Sequence, residues 1–322
     1  MKKKICVVGA GYWGKNHIKT LNKLGVLGGV VDNDTKSLEY CKNLYPQLKT
    51  YRKIEKAFCN KELKGFVVST PANTHFSIAK NIILNKKHLL VEKPLCLRSK
   101  DAKILVDLAK LNGVSLMVGH LLLFHPAIKK IKEYVDSGKI GNLQYIYSNR
   151  LNLGKIRNEE NVFWSFAPHD ISIFQFINGC SPNKIYSKGS AIIQKTIQDT
   201  TITVLKFPNG VDSHIFVSWL HPFKEHRLVV IGSEGMLTYE DSIYGKPLKF
   251  YKKKFNKRYK IPEKIDGPVE EIKYEKKMPL DEELKYFIKN MGTPKLKLSN
   301  GDHGLKVVEI LEKVSKYINY EE

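Results

Sequence analysis

Residues 7–17, VVGAGYWGKNH, contain the pattern G-x-G-x-x-G at Gly9, Gly11 and Gly14. A short apolar run precedes the pattern, and a helical pattern follows it to about residue 23. Glycines at this spacing permit a tight turn, a close approach of the backbone to phosphate and close packing of the helix. The stretch therefore predicts a strand, a glycine turn and a helix whose N-terminus binds the pyrophosphate of a dinucleotide.

The next predicted strand ends in an acidic residue. Val30 and Val31 lead to Asp32, which lies at the usual distance of about 20 residues beyond the glycines. A carboxylate at this position can accept hydrogen bonds from the ribose 2′-hydroxyl group, and it repels a 2′-phosphate. The sequence therefore predicts NAD, rather than NADP, as the cofactor.

Two further apolar runs, residues 66–68 and 89–91, each end in a polar cluster. In a doubly wound sheet, ligands bind beyond the carboxyl ends of the strands, so both clusters are candidate site residues. Pro94 restricts Lys93 to an extended conformation, which directs the lysine out of the strand end. An ammonium group there can donate to a substrate hydroxyl and stabilise an alkoxide.

These strand ends and the glycine turn together supply the predicted cofactor site. The predicted cofactor-binding residues are Gly9, Gly11, Tyr12, Trp13, Gly14, Asp32, Asn33, Ser69, Thr70, Pro71, Asn73, His75, Glu92 and Lys93.

The pattern of strands and helices changes near residue 120. Before it, short β-branched runs alternate with helical patterns, which predicts a parallel sheet buried on both faces. After it, strand signals dominate from residue 143 to about 255, with helices near 125–137, 169–177, 281–291 and 302–318. Residues 253–279 read as a long loop or edge element. We expect an α/β chain with a Rossmann doubly wound sheet (1–120) and an α+β substrate-binding and oligomerisation domain with a large, mostly antiparallel open sheet (121–322).

Composition narrows the class of protein. A hydrophobic fraction of 42% and a charged fraction of 27% are ordinary for globular proteins, and no apolar run is long enough to span a membrane. The net charge of +22 comes mostly from lysine spread along the chain, which indicates a solvated surface rather than nucleic-acid binding. The five cysteines form no C-x-x-C pair, so neither a disulfide framework nor a metal site is predicted. Without a secretion signal, we expect a cytoplasmic protein with a small-molecule substrate.

The stretches VVGAGYWGKNH, VVDND, STPANTH, VEKPL and GHLLLFHP occur in this order, and together they resemble the Gfo/Idh/MocA oxidoreductases. The resemblance implies a Rossmann domain and an open-sheet domain with the active site between them. It also implies hydride transfer between NAD(P) and a sugar or cyclitol hydroxyl group. In that family the lysine of the E-K-P motif, here Lys93, is catalytic. The usual proton-transfer residue is a histidine at the start of a second-domain helix, which matches His169 in APHDISIF.

The chain departs from the family pattern one helical turn before this histidine. The family often has an aspartate four residues earlier, and here that position is Ser165. A serine cannot orient or charge the histidine as a carboxylate does, and the adjacent Asp170 points elsewhere on a helix. Lys93 and His169 alone are therefore the expected acid/base residues.

Residues 124–154 and 161–172 resemble the family branch that acts on nucleotide-diphosphate sugars in surface-polysaccharide pathways. The first expectation is redox chemistry at C3 of a UDP- or dTDP-hexose derivative, for example a UDP-N-acetyl-hexosaminuronate. Arg150 ends a predicted strand and could pair with a carboxylate or diphosphate through both its terminal nitrogens. The predicted substrate-binding residues are Lys93, Arg150, Asn152, Arg157, Trp164, Ser165 and His169.

Three other functions remain open at this point. A free-sugar or inositol dehydrogenase is the nearest alternative. The family also contains NAD-dependent glycoside hydrolases that oxidise the sugar transiently, and Ser165 makes a catalytically inactive NAD-binding regulator conceivable. The stretches IYSNRLNL and SHIFVSW carry large apolar residues on both strand faces. We therefore expect a homodimer or homotetramer that uses the exposed face of the second sheet.

Overall fold

The computed structural model describes residues 4–154, 156–256, 260–293 and 296–318. Its strands are β1 (Lys4–Val8), β2 (Leu27–Val31), β3 (Thr50–Tyr51), β4 (Leu63–Val68), β5 (His88–Glu92), β6 (Leu116–Gly119), β7 (Leu143–Leu153), β8 (Lys184–Ser190), β9 (Thr200–Lys206), β10 (Asp212–Ser218), β11 (Leu220–Gly232), β12 (Met236–Glu240), β13 (Leu248–Tyr251), β14 (Lys254–Asn256), β15 (Glu263–Ile265) and β16 (Val269–Glu271). Its helices are α1 (Tyr12–Lys23), α2 (Thr35–Leu44), α3 (Ile54–Phe58), α4 (His75–Leu84), α5 (Ser99–Leu111), α6 (Pro126–Asp136), α7 (Val162–Asn178), α8 (Pro279–Asn290) and α9 (Gly301–Ile318), with 3-10 turns at Ala72–Thr74 and Leu121–Phe124. None of the helices in these ranges combines the length and apolar character that a membrane-spanning helix requires.

The chain forms two compact units. Unit 1 comprises the residues up to Phe124 together with Lys277–Glu309. Unit 2 comprises His125–Lys276 together with the residues from Ile310 on. The sequence predicts a single boundary after residue 120, whereas the structure returns a later segment, with α8 and the first turns of α9, to the first unit.

Packing of α8 explains this return. Phe287 lies in the last turn of α8, and Met291 directly follows the helix. Both side chains are buried. They pack against β4 so closely that a Cβ atom on Gly65 would collide with the sulfur of Met291. Apolar side chains of a distant segment thus complete the core of unit 1, which adjacency in sequence does not reveal.

The sheet of unit 1 has six strands in the order β3-β2-β1-β4-β5-β6, and all neighbouring strands are parallel. This order confirms the predicted Rossmann doubly wound sheet. Val8 pairs with both Val31 and Val68, and Val91 pairs with Val118. Strands β1, β2, β4, β5 and β6 therefore end at the same edge of the sheet, where the predicted ligand-binding residues follow them.

The sheet of unit 2 has eight strands in the order β16-β13-β12-β11-β7-β10-β9-β8. Neighbouring strands are antiparallel except for β7 and β10, which are parallel. A parallel pair needs a crossover connection, and the segment between these two strands contains α7. The prediction of a large, mostly antiparallel sheet is confirmed.

The two faces of this second sheet differ in burial. On one face, Ile146, Ile215 and Val217 are fully buried beside α7. The other face, here called the open face, carries mainly exposed or half-buried side chains, although Val229 on it is buried. The open face includes Tyr145, Tyr147, Ile202, His214 and Phe216.

Helix α7 is longer than the sequence pattern predicts. It begins at Val162 rather than near His169, because the side chain of Asn161 accepts a hydrogen bond from the Trp164 amide and caps the helix. Pro168 lies inside it. Proline is common at the first position of a helix, so the sequence predicts a helix that begins near Pro168. The helical turns before Pro168 are therefore not predicted.

Hydrogen bonds define one turn and one helix cap in the second half of the chain. The Phe207 amide donates to the Val211 carbonyl oxygen, which closes the hairpin turn between β9 and β10. Asn300 accepts from the His303 amide and caps the start of α9. The described part of residues 253–279 contains the short strands β14, β15 and β16. Strand β16 lies at the edge of the large sheet, which agrees with the prediction of an edge element.

Candidate cofactor and catalytic sites

The glycine turn after β1 has no room for side chains at two of its three glycines. Gly9 has a φ of +95°, and a Cβ atom there would lie 2.9 Å from the Ser69 carbonyl oxygen. A Cβ atom on Gly14 would collide with the carbonyl oxygen of Gly9. Gly11 has nothing within 4 Å of the position of its missing Cβ, so its surroundings are open on the side where phosphate would approach.

The N-terminus of α1 lacks a side-chain cap. Gly11 is the N-cap residue, no side chain accepts from the first-turn amides, and the first turn holds no acidic residue. In contrast, Asp34 caps α2 by accepting from two amides. Free amide groups and the positive end of the helix dipole favour a bound anion, so this terminus fits a pyrophosphate. Tyr12 and Trp13 flank the turn and are 83% and 43% exposed.

Asp32 is held by the backbone in a fixed orientation. One carboxylate oxygen accepts from the Ala10 amide at 2.6 Å, and the other accepts from the Asp34 amide at 2.8 Å. Each oxygen retains a further lone pair for a hydroxyl donor. Asn33 is exposed beside it. The arrangement joins the glycine turn to the end of β2, and it fits a ribose at this position.

The loop after β4 approaches the glycine turn. The Ser69 hydroxyl donates to the Gly9 carbonyl oxygen at 2.9 Å, and the Thr74 hydroxyl donates to the Thr70 hydroxyl at 2.7 Å. Pro71 and Asn73 are exposed. The structure thus brings this loop and the glycine turn together.

The sequence predicts that His75 binds the cofactor, but in the structure its ring is buried between two loops. Its ring is 1% exposed, and its nitrogens lie 2.9 Å from the Thr70 carbonyl oxygen and 2.8 Å from the Pro94 carbonyl oxygen. Burial lowers the pKa of His75, although the two carbonyl oxygens oppose this shift. The ring joins the loop after β4 to the loop after β5, so its nitrogens are engaged by the backbone rather than directed to a ligand.

A hydrogen-bonded pair of His17 and Glu92 lies at the end of β5. Nε2 of His17, on α1, is 2.7 Å from Oε1 of Glu92, and the Lys93 amide donates to the other oxygen at 3.2 Å. Burial opposes ionisation of Glu92, but His17 and Lys93 together lower its pKa. Glu92 therefore binds the backbone of Lys93 and connects it to α1. Sequence reasoning missed His17, although it lies within the motif VVGAGYWGKNH.

Lys93 lies beside the buried His120, which packs against a second histidine, His303. Glu92 pairs with Gly119, so Lys93 and His120 are the next residues beyond two neighbouring strand ends. The rings of His120 and His303 are 5.1 Å apart and nearly perpendicular. Burial, then His303 and Lys93, hold the pKa of His120 well below 6.5, so His120 is neutral at neutral pH. His303 comes from the first turn of α9 and was not predicted.

In unit 2, α7 carries His169 and Ser165 one turn apart. Ser165 is 4% exposed and His169 is half-buried. A spacing of four residues places both side chains on the same face of the helix. His169 lies in the second turn of α7, not at its start, because Asn161 caps the helix at an earlier residue.

The side chain of Arg150 forms an ion pair inside unit 2. Its guanidinium donates to both carboxylate oxygens of Asp170, at 2.8 and 3.0 Å, and its side chain is 12% exposed. The sequence predicts that Arg150 binds an anionic substrate through two of its nitrogens. The structure places an internal carboxylate in that position instead, and it directs Asp170 away from His169 toward β7.

A chain of polar side chains extends from this pair. His226 lies 3.4 Å from Arg150 and 3.9 Å from Asp241, and Tyr239 donates to Asp241 at 3.3 Å. Tyr239 also lies 3.1 Å from His125, whose other ring nitrogen accepts from the Ala127 amide and caps α6. Sequence reasoning missed this chain because it joins residues far apart in sequence.

The remaining predicted substrate residues also lie in unit 2. Asn152 is half-buried near the end of β7. Arg157 is exposed and pairs with Glu160 at 3.0 Å. Trp164 lies on α7, and its indole N–H donates to the Ser315 hydroxyl at 2.7 Å. The structure therefore places Trp164 and Ser165 in the helix and Arg157 in the segment that precedes it.

Two family models match successive parts of the chain. The oxidoreductase family model with the NAD-binding Rossmann fold of Gfo/Idh/MocA matches residues 3–120, and the Gfo/Idh/MocA C-terminal domain matches residues 128–238. A myo-inositol 2-dehydrogenase of Thermotoga maritima is 26% identical over 247 residues, which are 73% of this chain and 74% of the relative. A UDP-N-acetylglucosamine 3-dehydrogenase of Acidithiobacillus ferrooxidans is 26% identical over 189 residues, 58% of each chain.

The solved structure of the Acidithiobacillus ferrooxidans enzyme has the same fold. It superposes with a TM-score of 0.85 at 20% sequence identity, covering 98% of this chain and 97% of that one. Both family models are matched, and the glycine turn, the uncapped α1 and the oriented Asp32 fit a dinucleotide. The chain belongs to the Gfo/Idh/MocA family of oxidoreductases, and unit 1 is its NAD-binding Rossmann domain.

Proposed function

We propose that this protein is an NAD-dependent dehydrogenase of a sugar hydroxyl group, with C3 of a nucleotide-diphosphate hexose as the favoured substrate. The observation that supports the reaction class is the shared edge of the sheet in unit 1. The glycine turn, Asp32 and Lys93 follow strands that end at this edge. A lysine next to a dinucleotide-binding turn can reach a group that reacts with the nicotinamide.

Bound NAD would supply the hydride acceptor at the nicotinamide ring. In the proposed reaction, Lys93 donates a hydrogen bond to the substrate oxygen and stabilises its developing negative charge. His169 takes the hydroxyl proton, as the family resemblance implies. Asp32 binds the ribose hydroxyls, and the free amides of α1 bind the pyrophosphate. Glu92 fixes the backbone of Lys93 through its amide hydrogen bond.

The choice of substrate rests on the relatives. The UDP-N-acetylglucosamine 3-dehydrogenase has the same fold along nearly its whole length. The resemblance of residues 124–154 and 161–172 to the nucleotide-sugar branch supports the same substrate class and, with it, a role in surface-polysaccharide synthesis. With Arg150 occupied by Asp170, the exposed Arg157 is the arginine we propose for binding a diphosphate.

A second candidate function is an inositol or free-sugar dehydrogenase. It is favoured by the myo-inositol 2-dehydrogenase relative, whose similarity extends over 73% of this chain. The two functions differ in the need for a diphosphate, so substitution of Arg157 separates them. Loss of the diphosphate contact should raise the KM for a UDP-sugar and leave the KM for an inositol unchanged.

The deciding experiment measures NADH formation from NAD with a panel of UDP-sugars, dTDP-sugars, free sugars and inositols. We expect stoichiometric NADH and a 3-keto product from a nucleotide sugar. Sugar cleavage without net NADH would instead identify a glycoside hydrolase. Tight NAD binding with no turnover on any of these compounds would identify an inactive regulator. Turnover of inositols alone would establish the second candidate.

A further inference from the structure

A groove of about 550 Å³ lies between β8 and the last turns of α9, and the proposed reaction does not use it. One wall is formed by residues 183–186, at the start of β8. The other wall is formed by Lys313, Lys316 and Tyr317 of α9. Both walls belong to unit 2, so the groove is a feature of that unit alone. It is called the β8–α9 groove below.

The first wall is the edge of a sheet. Successive side chains of a strand point to opposite faces, and four consecutive residues line the groove, so the groove runs along the edge of β8 rather than over one face. Strand β8 is the last strand of the eight-stranded sheet, and among the described strands it pairs with β9 alone. An edge strand carries a row of backbone N–H and C=O groups without strand partners. The groove therefore offers main-chain groups for pairing with a further strand.

Strand β8 is long for an edge strand. It has seven residues, whereas β16, at the opposite edge of the same sheet, has three. Proteins often protect a long edge with lysine side chains, and Lys184 and Lys188 are exposed on β8. These charges repel the β8 edge of a second copy of the chain, but they attract a strand that carries carboxylates. The edge is therefore selective for an acidic strand.

The second wall presents one face of a helix. Lys313, Lys316 and Tyr317 have the spacing i, i+3 and i+4, which places them side by side on α9. None of the three lysines that line the groove forms an ion pair with a carboxylate among the residues that the structure describes. By contrast, Lys306 pairs with Glu309 at 2.9 Å two turns earlier on the same helix. The lysines of the groove are thus available to carboxylates from outside the chain.

Each wall also contributes a tyrosine ring. Tyr186 and Tyr317 are 55% and 53% exposed, and no acidic residue lines the described part of the groove. Tyrosine is common in protein interfaces because its ring buries apolar area while its hydroxyl remains hydrogen-bonded. The groove thus combines main-chain pairing groups, positive charge and aromatic surface, which are the requirements for binding an extended peptide by strand addition.

We propose that the β8–α9 groove binds an extended acidic peptide of a partner protein, which adds to the sheet of unit 2 as a ninth strand beside β8. The backbone of the peptide pairs with the edge of β8. Its carboxylates contact Lys184, Lys313 and Lys316, and its apolar side chains cover the two tyrosine rings. A small anion such as pyrophosphate would satisfy the lysines but leave the strand edge unpaired, which is why the peptide is favoured. The proposal does not depend on the redox reaction.

The first measurement is fluorescence anisotropy of a fluorescein-labelled, seven-residue peptide of alternating glutamate and valine, titrated with the full chain. We expect saturable binding. A peptide with lysine in place of glutamate should not bind, because it has the same charge as the groove. A peptide of the acidic sequence with every backbone amide N-methylated should bind at least tenfold more weakly, because it cannot donate hydrogen bonds to β8.

The second measurement uses a charge reversal in the helix wall. Lys316→Glu should weaken binding of the acidic peptide about tenfold or more, since like charges then face each other. Lys42→Glu is the matched control, because Lys42 is an exposed lysine on α2 of unit 1, and this variant should keep the wild-type affinity. Hydrogen exchange of the wild type needs no variant. The acidic peptide should slow exchange of the β8 amides and leave those of β16 unchanged.

Several outcomes would overturn the proposal. Absence of saturable binding, or unchanged exchange of the β8 amides with the peptide bound, would exclude strand addition. Equal binding of the N-methylated peptide would mean that the groove holds an anion rather than a strand. Self-association of the wild type that is lost in Lys316→Glu would mean that a second copy of the chain occupies the groove.

Discussion

The guanidinium of Arg150 and the carboxylate of Asp170 form a bidentate ion pair inside unit 2, with hydrogen bonds of 2.8 and 3.0 Å. Their side chains are only 12% and 3% exposed. The pair connects β7 to α7 at the residue that follows His169. It therefore fixes the turn of the helix that carries the predicted proton acceptor, without using the arginine as a ligand-binding group.

Breaking this pair should destabilise the protein strongly. Arg150→Ala leaves the carboxylate of Asp170 buried and unpaired, which typically costs about 3–5 kcal/mol in the free energy of unfolding. Urea unfolding followed by circular dichroism measures the change. Arg157→Ala, which breaks an exposed pair with Glu160, is the control and should cost about 0–1 kcal/mol. Equal stability of the two variants would contradict the structural role of Arg150.

Cofactor preference should depend on Asp32. Asp32→Ala removes the acceptor for the ribose 2′-hydroxyl and the repulsion of a 2′-phosphate, so NADH affinity should fall about tenfold to a hundredfold and the NADH/NADPH ratio should shrink. Fluorescence titration with both cofactors measures the ratio. Asp34→Ala is the control because this nearby carboxylate is engaged in capping α2. Tighter binding of NADPH than NADH by the wild type would show that Asp32 does not select the cofactor.

Turnover should require both Lys93 and His169. Lys93→Ala and His169→Ala should each lower kcat by about 10²–10⁴, the usual contribution of one acid–base group, while NADH affinity stays nearly unchanged. The exposed Lys100→Ala, at the start of α5, is the matched control and should keep full activity. Full turnover by His169→Ala would mean that the proton acceptor is another residue.

Ser165 provides a sharper test of the same helix. Ser165 and His169 lie one turn apart on α7, so Ser165→Asp restores a carboxylate at the position that the family often uses. A carboxylate beside the imidazole favours its protonated form, so we expect higher activity or a pH optimum moved to higher pH. Ser165→Asn, which is similar in size and uncharged, should leave the pH optimum in place. No change in rate or pH profile would indicate that Ser165 does not contact the histidine.

Self-association should use the open face of the second sheet. Ile202 is 51% exposed there, beside the half-buried Phe216. Burial of such residues favours association, so light scattering at micromolar concentration should give a dimer or tetramer, and Ile202→Lys should shift it to monomers. Ile192→Lys changes an isoleucine that is 65% exposed in a loop outside the strands, and it should have no effect. A monomeric wild type would disprove the prediction.

Local sequence patterns are enough to predict the Rossmann sheet and its NAD-binding turn. A glycine turn, an acid after the second strand and a lysine after a later strand are local patterns. The parallel sheet brings them together simply because its strands end at one edge. The strand signals of the second half likewise predict a large, mostly antiparallel sheet. The fold can be predicted in this way because backbone geometry alone relates side chains that are close in sequence or end neighbouring strands.

The partners of the polar side chains become visible only in the folded structure. The sequence predicts that Arg150 binds an anionic substrate and that His75 binds the cofactor. In the structure, Arg150 pairs with Asp170, and the nitrogens of His75 lie beside two backbone carbonyl oxygens. The contacts of His17 with Glu92 and of His120 with His303 also join distant segments. A buried polar group is stable only when a partner satisfies it, and the partner is supplied by long-range packing rather than by spacing along the chain.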